Sequence, residues 1–124
     1  MTKPSELFSY FACVPPVENM EKSLAFYRDK LGFEVTFTWN DPIDYAVVKR
    51  GTVGIHLTKS DREIRQTRHT SMYIFVHDVD AVSDEFSARG IFFSNPIGDR
   101  DYRMRDFDIK DVDGYILTFG KGLD

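Results

Sequence analysis

One pattern occurs twice in this chain, and it restricts the fold more than any other feature. An apolar run, a helical stretch ending in glycine and a series of β-rich segments fill residues 7–59, and the same order returns in residues 70–120. The two helical stretches end in "LGF" and "RGI", and their glycines, Gly32 and Gly90, stand about 58 residues apart. Stacked repeat arrays need three or more units to bury their faces, so a pair of β-α-β-β-β units predicts a paired sheet arrangement instead. The 124 residues suit one α+β domain, 1–124, built of two tandem modules.

In the first unit, residues 7–14 read as a strand that Pro15 and Pro16 end. Asn19 is placed to cap a helix over residues 20–30. Met20, Leu24, Tyr27 and Leu31 share one face of it, and Gly32 is its terminator. Strands follow over 33–39, 45–49 and 53–59, with a turn at Asn40-Asp-Pro42. The polar connector 60–69 carries Arg62, Arg65 and Arg68, which read as a solvated linker more readily than as an anion-binding surface. The second unit predicts a strand at 71–76 and a helix from Asp78 or Asp80 to Arg89, with Val79, Val82 and Phe86 on its buried stripe. A short strand at 91–93, a loop at 95–98 and strands at 104–109 and 115–119 complete it.

Charge and cysteine usage narrow the partners. The net charge of −4, mixed in sign along the chain, gives no electrostatic reason to expect nucleic acid or an anionic membrane, and it suits a cationic small molecule. A single cysteine, Cys13, forms no internal disulfide and suits a reducing compartment. No segment approaches membrane-span length and the first residues hold no apolar leader, so a cytoplasmic location is expected. The chain has no G-x-S-x-G, no glycine-rich phosphate loop and no C-x-x-C. Alternation puts Cys13 on the helix-packed side as an inert thiol. Asp78/Asp80 and Asp111/Asp113 read as helix-start and turn residues rather than as a general acid and base.

The segments "VENMEKSLAFYRDKLGFEV" (17–35), "FVHDVDAVSDEFSARGI" (75–91) and "YRMRDFDIKDVDGYILTFG" (102–120) resemble the vicinal oxygen chelate superfamily. That superfamily includes glyoxalase I, extradiol dioxygenases and bleomycin-binding resistance proteins. The run "MRDF…DVDGYILTF" is similar to the ending of its bleomycin-resistance-like members. The resemblance implies two βαβββ modules whose strands form a curved mixed sheet around a cleft, usually in a homodimer whose chains share each site.

Metal-using members hold a divalent ion with inward His and Glu side chains from four strands, since such ions want nitrogen or carboxylate oxygen at about 2 Å. The resemblance puts those four positions at Ala12, His56, Ser71 and Thr118. Alternation agrees with that register: Ile55 and Leu57 flank His56, Met72 and Ile74 alternate with Ser71 and Tyr73, and Leu117 and Phe119 flank Thr118. One imidazole, two neutral hydroxyls and a methyl make no metal centre, so no metal or cofactor is expected, and with it no Lewis acid. His56 is then either a ligand contact or a packed structural histidine.

Trp39, Tyr45, Tyr73 and Tyr102 occupy strands or strand ends that line the cleft in this family, where flat rings with polar tips would stack a planar ligand; core or dimer interface is the alternative for each. Ser71 and Thr118 would add polar contacts, and Arg105 with Asp106 would either meet a ligand's charge or form an exposed ion pair. The expected protein binds a small aromatic or cationic molecule, as in antibiotic resistance by sequestration. The alternative is a lyase, isomerase or dioxygenase with an atypical site and His56 as general base.

Overall fold

A computed structural model describes residues 2–65 and 68–124; Gln66 and Thr67, in the middle of the connector expected at 60–69, lie outside the described residues. The chain forms two four-stranded mixed sheets. The first holds β1 (Pro16–Val17), β2 (Glu34–Trp39), β3 (Tyr45–Arg50) and β4 (Val53–Lys59) in the order β1-β4-β3-β2. The second holds β5 (Thr70–Phe75), β6 (Phe93–Asp99), β7 (Met104–Lys110) and β8 (Ile116–Gly122) in the order β5-β8-β7-β6. In each sheet the first strand lies parallel to the last and the remaining pairs are antiparallel, so the duplication seen in sequence is a duplication of topology.

The helices form where their caps and stripes require. Asn19 accepts from the Lys22 N–H at 3.0 Å to open α1 (Met20–Ala25), which continues as a π-helical turn over Phe26–Lys30. Asp78 does the same for α2 (Val79–Ala88) through the Ala81 N–H. Gly32 and Gly90, both at φ +75°, take the left-handed conformation that ends each stretch. Met20, Leu24, Tyr27 and Leu31 are buried, as are Val79 and Phe86, against the aliphatic faces of the sheets: Ile55, Leu57, Ile74, Leu117 and Phe119.

Two sequence expectations are corrected. Residues 7–14 do not form a regular strand: Cys13 makes one isolated bridge to Ile55, and the paired segment is Pro16–Val17, beyond the prolines expected to end it. The register set by Cys13 would put Phe11 beside Val53, the first residue of β4, so earlier residues run past the end of that strand. Residues 95–98, expected as a loop, belong to β6. That strand is the sheet edge and carries register shifts at Asn95 and Gly98, which is where a proline such as Pro96 is tolerated.

The modules are tied to each other. Tyr27 Oη donates to Asp111 Oδ2 at 2.8 Å, the Glu18 N–H donates to Asp113 Oδ1 at 3.1 Å, and Tyr115 Oη donates to the Pro16 carbonyl at 2.8 Å. Arg50 pairs with Glu85 through two hydrogen bonds of 2.7 and 2.8 Å.

Candidate functional site

With the aliphatic faces covered by helices, the opposite sheet faces remain for a ligand. On the first sheet the cross-strand pairs Phe37–Val47, Trp39–Tyr45 and Val47–His56 put Phe37, Trp39, Tyr45 and His56 on this face. Trp39 is 59% exposed. Tyr45 Oη lies 2.7 Å from His56 Nδ1, with the rings edge to face. If Tyr45 donates, the neutral imidazole carries its proton on Nε2. His56 also lines a cavity of about 530 Å³ with Tyr10, Phe11, Ala12 and Lys49.

On the second sheet the corresponding face carries Tyr73, Phe75, Asp106, Asp108 and Thr118, because Tyr73 pairs with Thr118, Asp106 with Gly120 and Asp108 with Thr118. Asp106 is fully buried. Its Oδ2 accepts from Tyr73 Oη at 2.9 Å and Tyr102 Oη at 2.7 Å, and its Oδ1 from Arg100 Nε at 2.8 Å. Burial pushes this carboxyl up, but Arg100, Tyr102 and Tyr73 together outweigh it and hold it below the usual carboxylate range. In return both phenols are raised: Tyr73 by burial first and by Asp106 next, Tyr102 by its bond to Asp106 first. Thr118 is nearly sealed; its hydroxyl donates to Asp108 Oδ1 at 2.7 Å and lies 2.7 Å from Thr70 Oγ1. It can therefore reach a ligand only through Asp108, whose Oδ2 has no hydrogen-bond partner among the described residues.

Ser71 and Tyr73 line a second cavity of about 470 Å³, between the sheets, with Phe11, Cys13 and Phe75. Arg105 stands apart from the other seven candidates. Its guanidinium is engaged by Asp80 at 2.7 Å and Asp99 at 3.0 Å, while Asp106, its neighbour in sequence, points to the opposite face. The Arg105–Asp99 contact is a cross-strand ion pair between β7 and β6, made with a different partner from Asp106, the one named with this arginine from the sequence.

The four positions that the resemblance assigns to a metal, Ala12, His56, Ser71 and Thr118, carry one imidazole, two neutral hydroxyls and a methyl, a donor set that does not suit a divalent ion. Ala12 offers a methyl, Thr118 spends its hydroxyl on Asp108, and His56 has Nδ1 against Tyr45. Among the described residues no three His, Cys, Asp or Glu side chains converge as a donor set.

Sequence reasoning passed over Phe37 and Phe75 and read Asp106 only with Arg105. Alternation carries the missing signal, since Phe75 follows Tyr73 by two residues and Asp106 must face away from Arg105.

A family model, the Glyoxalase/Bleomycin resistance protein/Dioxygenase superfamily, matches residues 11–119. The chain belongs to this superfamily. The bleomycin-binding protein from bleomycin-producing Streptomyces verticillus, solved with copper(II)-bleomycin, is 26% identical over 98% of this chain and 99% of its own, with a TM-score of 0.77. A superfamily protein from Alicyclobacillus acidocaldarius is 20% identical over 94% of this chain and 92% of its own, with a TM-score of 0.80. TioX from Micromonospora sp. ML1 is 15% identical over 94% of this chain and all of its own, with a TM-score of 0.77. Among curated protein sequences nothing matches the chain.

Proposed function

We propose that this member of the superfamily is a metal-free binding protein that sequesters an aromatic or cationic small molecule in a cleft completed by a second copy of the chain. The observation that carries the reading is the pair of sheet faces left without helices, each bearing exposed rings: Phe37 and Trp39 on one, Phe75 and Tyr102 on the other. Rings on rigid strands bind planar molecules by stacking, and Asp108 and His56 supply polar contacts beside them. Copper(II)-bleomycin in the Streptomyces neighbour makes that class of antibiotic the first ligand to try.

The homodimer rests on the arm at residues 7–14. Phe8 is 93% and Phe11 90% exposed, with Leu7 and Tyr10 also open, so a second chain has apolar surface to cover. No nucleic acid or membrane partner enters the proposal. No helix among the described residues is long and apolar enough to cross a membrane, and a reducing, cytoplasmic setting suits the lone Cys13.

A thermal-shift series on chelator-treated protein tests this. Copper(II)-bleomycin or metal-free bleomycin at about 100 times its dissociation constant adds about 2.7 kcal/mol and raises Tm by several degrees. Absence of any shift with either form removes the antibiotic assignment. A shift with Ni, Zn, Mn or Fe salts instead, at about one ion per chain, favours an enzyme. The hydrogen-bonded Tyr45–His56 pair keeps that second reading in play. It requires turnover that His56→Ala abolishes in a folded protein.

A further inference from the structure

We infer that Asp106 is a positioning residue that holds Tyr73 and Tyr102 as one fixed two-ring platform, with Gly120 supplying the space this needs. The inference rests on the sequestration reading above and names the device that would orient the ligand.

A surface tyrosine ordinarily buries its ring and sends its hydroxyl to water. Tyr102 does the reverse: the residue is 62% exposed while its hydroxyl lies 2.7 Å from Asp106 Oδ2, an atom of a fully buried residue. Tyr73 brings its hydroxyl to the same oxygen at 2.9 Å, and its ring stands 4.9 Å from that of Phe75. Such an arrangement leaves apolar ring surface in water and uses a buried charge to keep it there. The core gains little from it, because Phe107 and Phe119 pack on the other side of the sheet. A ligand covering the rings gains, since rings already fixed lose less freedom on binding.

Gly120 is the second observation. A Cβ there would fall 2.1 Å from Tyr73 Oη and 2.8 Å from Asp106 Cβ. Its backbone has no left-handed φ, so space rather than conformation calls for glycine at this point. Arg100, through Nε and a 3.0 Å bond to the Asp106 carbonyl, closes the cluster from the other side.

The test has a ligand-free arm and a binding arm. In protein labelled with 13C at tyrosine Cζ, the Tyr73 and Tyr102 resonances titrate above the ordinary value of about 10. Asp106→Asn brings both down towards it, and Gly120→Ala releases Tyr73. Tyr27, which is held by Asp111, stays raised in both variants. The double variant Tyr73→Phe/Tyr102→Phe keeps both rings and loses both tethers. It is expected to bind copper(II)-bleomycin, or ethidium as a planar cationic probe, about tenfold more weakly.

Unchanged affinity in the double variant overturns the inference, as does ordinary titration of Tyr73 and Tyr102 in the unmodified protein. If the unmodified protein binds neither probe, the sequestration reading loses its support, and the titration alone decides whether Asp106 holds the rings. If Asp106→Asn fails to fold, the double variant and Gly120→Ala decide.

Discussion

The two modules share a topology and differ in how they treat the sheet face that no helix covers. On the first, Phe37, Trp39, Tyr45 and His56 stand with one hydrogen bond among them, Tyr45 to His56. On the second, Tyr73, Tyr102 and Arg100 converge on Asp106, and a separate chain of hydrogen bonds joins Thr70, Thr118 and Asp108. The opening strands differ in the same sense. β5 pairs with β8 along its length, whereas the segment before β1 meets β4 only near its end, where the Cys13 and Pro15 carbonyls accept from the His56 and Thr58 N–H groups. A duplicated unit thus keeps one topology and differs on the face that no helix covers. On the second face Tyr73 and Tyr102 are tethered to Asp106, whereas on the first Phe37 and Trp39 have no side-chain hydrogen bond among the described residues.

The strongest way to break this comparison is to ask whether the modules are energetically separate. Their cores differ in kind. Phe107 stacks on Phe93 and Phe119 and meets Phe86 edge to face, while β3 and β4 contribute Ala46, Val48, Ile55 and Leu57. Phe107→Ala should cost about 3–5 kcal/mol and Leu57→Ala about 2–5 kcal/mol, the usual range for such truncations in a packed core. Because Tyr27–Asp111, Glu18–Asp113 and Arg50–Glu85 bridge the modules, each variant should still unfold in a single transition. Urea unfolding followed by Trp39 fluorescence, in the first module, and by far-UV circular dichroism checks this. Separated transitions would mean two independent units.

A smaller effect sharpens the contrast between two buried carboxyls. Asp106 is held below its unfolded value of about 3.9, so it contributes stability that is present above that value and lost as pH falls below it through the lower folded value. Asp111 is pushed up, by burial first, against the opposing bonds from Tyr27 and the backbone of Tyr115 and Asp113. Its folded form binds the proton more readily than its unfolded form, so its contribution improves as pH falls towards 4. Relative to the unmodified protein, Asp111→Asn should lose ground between neutral pH and 4, and Asp106→Asn should gain ground below 4. Denaturation midpoints across pH 3–7 show the two signs; shifts of the same sign would remove the distinction.

The division between legible and illegible follows the same physics. Asn19, Asp78, Gly32 and Gly90 announced the helices because caps and left-handed terminators are local requirements. The burial of Met20, Leu24, Tyr27 and Leu31, and the alternation around His56 and Thr118, followed from period alone. Residues 7–14 misled because an apolar alternating run reports what a strand could be. Whether it pairs depends on where β4 begins. Pro96 concealed β6 because an edge strand accepts what a central one refuses. The Asp106 cluster was beyond reach. It depends on Arg100, Tyr102, Tyr73 and Gly120 meeting across four sequence segments, and no spacing encodes that meeting. Thr118 was placed on the correct face, but its depth beneath Asp108 could not be read from alternation.

The smallest expected effect concerns the tie between β3 and α2. Arg50 and Glu85 form a bidentate pair between β3 and α2, but both side chains are partly open, so the pair is worth at most about 1 kcal/mol and should weaken in high salt. Each has a second contact: Glu85 meets Arg89 at 3.2 Å in an exposed ion pair, whereas Arg50 Nη1 donates to the Leu31 carbonyl at 2.9 Å, where the first helical stretch ends. Leu31 is fully buried, and losing that donor leaves its carbonyl at the helix end without this bond. Arg50→Ala should therefore destabilise more than Glu85→Ala, and only the shared ion-pair part of the loss should fade between 0.05 and 1 M salt. Equal losses that both vanish in salt would reduce Arg50 to a surface charge and leave Tyr27–Asp111, Glu18–Asp113 and Tyr115–Pro16 among the contacts that hold the first module to the second.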